Sequence, residues 1–272
     1  SGGGEKASYR FGLGYLTDES TTVGIDMTRF NTSLNIDYDF SKKLRFSADF
    51  SFTQSDNNDN WSNVRDEAFG KMPNKSPYWI DKETGEATSQ YFNHQTVDFE
   101  GVYVEDKKKK SNYNPIAMAN ESMNKTTNRE SRIHFKINYK ILPELTYDAY
   151  FSMKIKTTNN RQFLPQVATG VVWTSEYANQ SVDNSSDNLT MITENKLMYR
   201  KNWDKKHNLI LTGKFMTTQA QSENYSSKTS GNASSGLSDP TIGSVVASIG
   251  SGKSETRTYQ GTGLLSYTLL DR

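Results

Sequence analysis

Three histidines, a short run of oxygen-bearing residues, a lysine tract and a set of aromatics are where this chain could do chemistry. His94, His134 and His207 stand far apart, so no two have the spacing of a metal site or of a base with its orienting partner, and each reads as structural. Asp56, Asn58 and Asn60 have the i, i+2, i+4 spacing of a calcium loop. The glycine and distal bidentate glutamate of such a loop are missing, and the stretch reads as a polar loop tip. Lys107 to Lys110 could dock an anionic partner or lipid headgroups, but a bare charge run is usually a solvated loop. The Asn188-Leu189-Thr190 sequon matters only in a secreted eukaryotic protein. The reading is a non-enzyme, with no catalytic residues, metal site or cofactor.

The aromatics are more informative. Trp61, Tyr78, Trp79, Tyr91, Phe92, Trp173 and Tyr177 fall in stretches without regular alternation. Such faces stack on sugar rings, and Trp61, Tyr78, Trp79, Trp173 and Tyr177 are the candidate substrate-binding residues. The competing reading is that they pack these stretches together, which is the usual work of an aromatic with area to bury.

The elements that would position them have a period of two. Phe30, Leu34, Ile36, Tyr38 and Phe40 share one face, and Asn31, Ser33, Asn35, Asp37 and Asp39 the other. After Ser41, Lys42 and Lys43 the pattern resumes, with Leu44, Phe46, Ala48, Phe50 and Phe52 against Arg45, Ser47, Asp49, Ser51 and Thr53. This is an antiparallel hairpin of strands about eleven residues long, the length a tilted strand needs to cross a bilayer. A second hairpin runs from Arg132 to Lys156 around Leu142-Pro143-Glu144. Further strands are expected near 6–16, 188–200, 207–217 and 255–269, eight altogether. The connections between them alternate long and short. The stretch 218–254, rich in Ser and Gly, reads as a mobile connection, and Asn114 as the cap of a short helix with Pro115 in its first turn.

A sandwich has no reason to put its long connections at alternate junctions, whereas an outer-membrane barrel has tight periplasmic turns and long outer loops. Tyr9, Tyr38, Phe46, Tyr139, Tyr147, Tyr199 and Tyr267 lie on apolar faces near the short-turn ends, as an interfacial girdle would. The apolar face would then meet outer-membrane lipid and the polar face a wet lumen. Hairpin geometry sets Asp39 opposite Arg45 and Asn138 opposite Asp148. The first hairpin's polar face leans acidic and the second's basic.

Bulk properties agree. The chain has 272 residues, only 33% of them hydrophobic but 12% aromatic, no cysteine, and a net charge of +1. No run is apolar enough for a spanning helix, a disulfide scaffold is excluded, and nothing draws the chain to nucleic acid. No signal peptide opens it, so the start is expected to be a processed terminus or a cut inside a longer protein.

Ser1-Gly2-Gly3-Gly4-Glu5-Lys6-Ala7-Ser8-Tyr9-Arg10-Phe11 through Gly14-Tyr15-Leu16 resembles the early-barrel signature of the SusC/RagA family, TonB-dependent outer-membrane transporters of Bacteroidota. Arg29-Phe30-Asn31, Met72-Pro73, Pro77-Tyr78, the 81–85 turn and Asn114-Pro115-Ile116-Ala117 are similar to further family patterns. The resemblance implies that residues 1–272 are part of one TonB-dependent receptor-like domain, about eight strands of a 22-stranded transmembrane β-barrel, with the plug and remaining strands absent. It implies import of a glycan or oligopeptide across the Gram-negative outer membrane, energised through a TonB complex, under a SusD-like surface lipoprotein. Two alternatives remain open at this point: a complete eight-stranded barrel acting as an adhesin or structural protein, and a soluble carbohydrate-binding β-sandwich.

Overall fold

A computed structural model describes residues 1–61, 64–71, 73–74, 76–92, 113–171, 174–204 and 206–269. Eight long strands form one meander: β2 (Ala7–Glu19), β3 (Asp26–Ser41), β4 (Leu44–Asp59), β7 (Met123–Leu142), β8 (Leu145–Leu164), β9 (Gln180–Trp203), β10 (His207–Ser230) and β11 (Val245–Leu269). A two-residue strand, β1 (Gly2–Gly3), pairs with the start of β2. Every neighbour in this sheet is the next strand of the chain apart from an excursion between β4 and β7. That excursion carries α1 (Val64–Phe69), the small hairpin β5 (Tyr78–Ile80) and β6 (Ala87–Tyr91), and α2 (Pro115–Glu121). A short helix, α3 (Gln166–Thr169), follows β8, and a 3₁₀ turn, Pro240–Ile242, precedes β11.

The register makes the two faces explicit. One transverse row runs Tyr9, Ile36, Ala48, Phe135, Phe151, Thr193, Thr217 and Tyr259 across all eight long strands. The next row on that face runs Phe11, Leu34, Phe50, Ile133, Met153 and Met191. No second layer among the described residues covers this face: Phe11, Leu13 and Tyr15 on β2 are 61%, 66% and 71% exposed. From Leu145 to Ile155 on β8 the apolar positions continue through ten residue steps, roughly 25 Å of height for a strand tilted near 40°. The sheet is one layer, so the apolar rows are not the interior of a sandwich. β2 and β11 do not pair with each other, so this is a segment of barrel wall and not a closed eight-stranded barrel.

The long and short connections alternate as expected. Segments 42–43, 143–144 and 204–206 lie at one end, and 20–25, 60–122, 165–179 and 231–244 at the other. The strands themselves run well past the expected limits. β10 continues from Phe215 to Ser230 and stays in register with β9 and β11 up to a bulge between Lys228 and Thr229. Most of 218–254 is therefore strand, and the mobile connection expected there shrinks to 231–244. The cause is the ladder: backbone pairing continues into water at no desolvation cost, while the apolar alternation that betrays a strand stops at the lipid boundary.

Candidate functional site

On the polar face, cross-strand neighbours satisfy one another. The Arg45 guanidinium donates to both carboxylate oxygens of Asp39, at 2.6 and 2.8 Å. Asn138 Nδ2 donates to Asp148 Oδ1 at 2.6 Å, and both pairs stand as their hairpin registers require. Lys196 approaches the same Asp148 at 3.9 Å, and Lys214 reaches Glu194 at 2.8 Å. Higher up, Glu130 accepts from Arg132 at 2.6 Å and from Lys154 at 3.3 Å. These pairs are partly hydrated, so they position charge along the wall and contribute little stability.

Above the wall the described parts of the 60–122 excursion are folded. Ala117, Met118, Leu164 and Ala168 are buried together, with Trp61, Val64, Tyr91 and Tyr113 packed against them. Burial pushes the Tyr113 phenol above its ordinary pKa, and the Glu67 charge adds to that. Asn114 is the joint. Its Oδ1 caps α2 by accepting from the backbone of Ile116 and Ala117, and Pro115 takes the first helical position. Its Nδ2 donates to the Pro77 and Phe92 carbonyl oxygens at 2.7 and 2.9 Å, and its own backbone N–H donates to Ala168 O at 2.9 Å. One buried side chain thus ties the β5–β6 hairpin to α2, and its backbone reaches α3.

The candidate aromatics divide between two places. Trp61 is half-buried against the Met118–Leu164 cluster, the packing role. Tyr78 stacks on Tyr91 with ring centroids 5.6 Å apart, and Trp79 meets Phe92 edge-on at 4.8 Å while remaining 47% exposed. Tyr177 is exposed, in the 165–179 connection. Trp173 lies outside the described residues, as do His94, Met72 and Lys107 to Lys110.

A second joint escaped sequence reasoning. Asn179, buried with φ of 52°, accepts from the Gln166 backbone N–H through Oδ1 and donates through Nδ2 to the Asn232 carbonyl. Asn232 in turn donates to Leu237 O at 2.6 Å. The 165–179 and 231–244 connections are thereby held to each other. A left-handed asparagine at a strand start was the available signal.

The remaining polar candidates have protein partners. Asp56 accepts from Thr127 Oγ1 at 2.5 Å and Gln54 Nε2 at 2.9 Å, and Asn58 Nδ2 donates to Asp26. Residues 56–59 end β4 rather than forming a loop tip, and among the described residues no cluster of His, Asp or Glu could hold a metal. His134 lies 5.8 Å from the Tyr150 ring. His207 stacks between Trp203 and Tyr267 at the short-turn end.

No family model matches the chain. Over 208 residues it is 25% identical to a TonB-dependent receptor, P39, of Formosa agariphila, which covers 76% of this chain and 18% of that protein. Solved structures of the RagAB peptide transporter superpose with a TM-score of 0.69 at 15% identity, over 99% of this chain and 29% of that one. The closed-closed state of the RagAB peptide importer gives 0.71 at 14% identity, over 98% of this chain and 29% of that one. The likeness to TonB-dependent transporters is borne out. The chain spans less than a third of the length of these relatives, and its fold is that of a piece of their wall. Among the described residues no helix is long and apolar enough to cross a membrane.

Proposed function

We propose that residues 1–272 are part of the barrel domain of a SusC/RagA-type outer-membrane importer, with no chemistry of their own. One observation carries this reading: a single-layer sheet with an uncovered apolar band on one face, ion pairs on the other and its long connections at one end. Such a sheet is stable where lipid covers the first face and water or a filling domain meets the second. The cargo is a glycan or an oligopeptide, energy arrives through a TonB complex, and a SusD-like lipoprotein closes over the connections. Trp79, exposed beside Phe92, is the described aromatic best placed to stack on cargo. Trp173 stays a candidate on sequence grounds. The test is fractionation of the full-length gene product, followed by uptake of candidate glycans and peptides with and without TonB. Outer-membrane location with TonB-dependent uptake supports the reading. A soluble product, or uptake indifferent to TonB, overturns it.

A further inference from the structure

The apolar face changes character above its band. On β7, Ile133 is followed upward on the same face by Ser131, Arg129, Thr127 and Lys125. Lys125 stands directly opposite Arg161 across the β7–β8 ladder, an arrangement of like charges that by itself costs stability. Arg161 has a carboxylate, Asp183, at 3.4 Å. Lys125 and Arg129 have no ion pair within 4.0 Å among the described residues, and Arg129 Nε donates only to the neutral Gln54 amide oxygen. The carboxylate on their other side, Asp56, accepts from Thr127 and Gln54 and feels the charges of both Lys125 and Arg129 without pairing with either. Three cations therefore surround a floor made by Thr127 and its register partner Asn159.

This floor belongs to a cleft of about 1120 Å³. Residues 238–241 roof it, held by the bond from Ser181 Oγ to Ser238 O at 3.1 Å and by Asn232 Nδ2 on Leu237 O. The roof's own carboxylate, Asp239, accepts from the Thr241 backbone N–H at 2.9 Å and its hydroxyl at 2.7 Å, with the Arg161 charge nearby. Val246, Ile249 and Tyr225 give the far side an apolar lining. Four and eight residues beyond Ile133, Arg129 and Lys125 rise roughly 10 and 20 Å above it for a tilted strand, where headgroups begin.

We propose that this cleft holds the phosphate of an outer-leaflet lipid headgroup. The phosphate lies among Lys125, Arg129 and Arg161, and the acyl chains run down the apolar rows beneath. The inference rests on the reading of the apolar face as lipid-facing. Continuity with that face selects a lipid over a soluble anion. Guanidinium groups supply paired donors to phosphate oxygens, and the bound charge adds to what Asp183 already does to offset the Lys125–Arg161 repulsion.

The test uses the purified full-length transporter in mixed micelles containing a bis-phosphorylated glycolipid or its dephosphorylated form, with retained lipid counted by native mass spectrometry. The phosphorylated form is retained about ten-fold more, Lys125→Glu with Arg129→Glu removes the preference, and Lys125→Arg keeps it. Reversal of Lys136 on the polar face (Lys136→Glu) changes nothing. Equal retention of both lipids, or indifference to the double reversal, overturns the proposal. So does complete displacement by inorganic phosphate, which would mark a free-anion site. Outer-membrane fractionation of the same variants reports separately on the importer reading.

Discussion

Asn114 and Pro77 are joined by a 2.7 Å hydrogen bond from side-chain amide to carbonyl oxygen, across 37 positions of chain. The same amide nitrogen also bonds Phe92 while the amide oxygen caps α2, so one side chain supplies both the cross-link and the cap through different atoms. Asn114→Ala loses the cap, about 1 kcal/mol, and leaves two carbonyls without their donor, about 1–3 kcal/mol more. Asn114→Asp keeps the cap and loses only the donors. Hydrogen exchange should show 76–92 deprotected in both variants, and α2 deprotected in the alanine variant alone.

Phe135 and His134 test which face meets lipid. Phe135 lies in the middle of the apolar rows and His134 beside it on the polar face. Phe135→Arg should cost about 2–4 kcal/mol in assembled stability, and His134→Arg close to nothing. Gel-shift unfolding of the full-length barrel reads both. Equal penalties would count against the orientation.

Trp61 and Trp79 should separate packing from binding. Trp61→Ala opens space beside Met118 and Leu164 and should destabilise the excursion by about 2 kcal/mol, below the 3–5 of a fully buried site because Trp61 is half-exposed. Trp79→Ala should leave protease resistance unchanged and weaken cargo binding by about 2–10-fold, the worth of one lost stacking contact. Calorimetric titration alongside limited proteolysis distinguishes the two.

Acidification should loosen the 231–244 connection first. The Thr241 backbone N–H, the Thr241 hydroxyl and the nearby Arg161 charge hold the Asp239 carboxyl below its ordinary pKa. A carboxyl lowered on folding stabilises the folded form above its ordinary value and loses that contribution as pH falls through the lowered one. Protection of 239–243 from hydrogen exchange should therefore be constant at neutral pH and fall below about pH 4. Asp239→Asn should abolish that dependence.

The hairpins were legible because lipid imposes a strict period of two. Asp39–Arg45 and Asn138–Asp148 follow from counting residues around two tight turns. The upper halves of the strands were illegible for the converse reason. Thr218 to Ser230 are polar on both faces apart from Ala220 and Tyr225, so nothing in their hydropathy distinguishes strand from loop, and only pairing with β9 and β11 settles it. Asn114 could be read as a cap from Asn-Pro, yet its bonds to Pro77 and Phe92 depend on chain far away in sequence. The aromatics were legible as a class but not by their surroundings: Trp61 packs against the buried cluster while Trp79, edge-on to Phe92, stays 47% exposed, and no local pattern separates them.

The excursion between β4 and β7 departs and returns at adjacent points, since Asp59 is the register partner of Asn124. Lengthening a flexible insert whose ends already meet costs only about 0.6 kcal/mol per doubling. The staves on either side keep their alignment whatever hangs between them. Lineages can therefore exchange the excursion wholesale, by insertion or recombination at two neighbouring seams, without re-solving how the wall assembles.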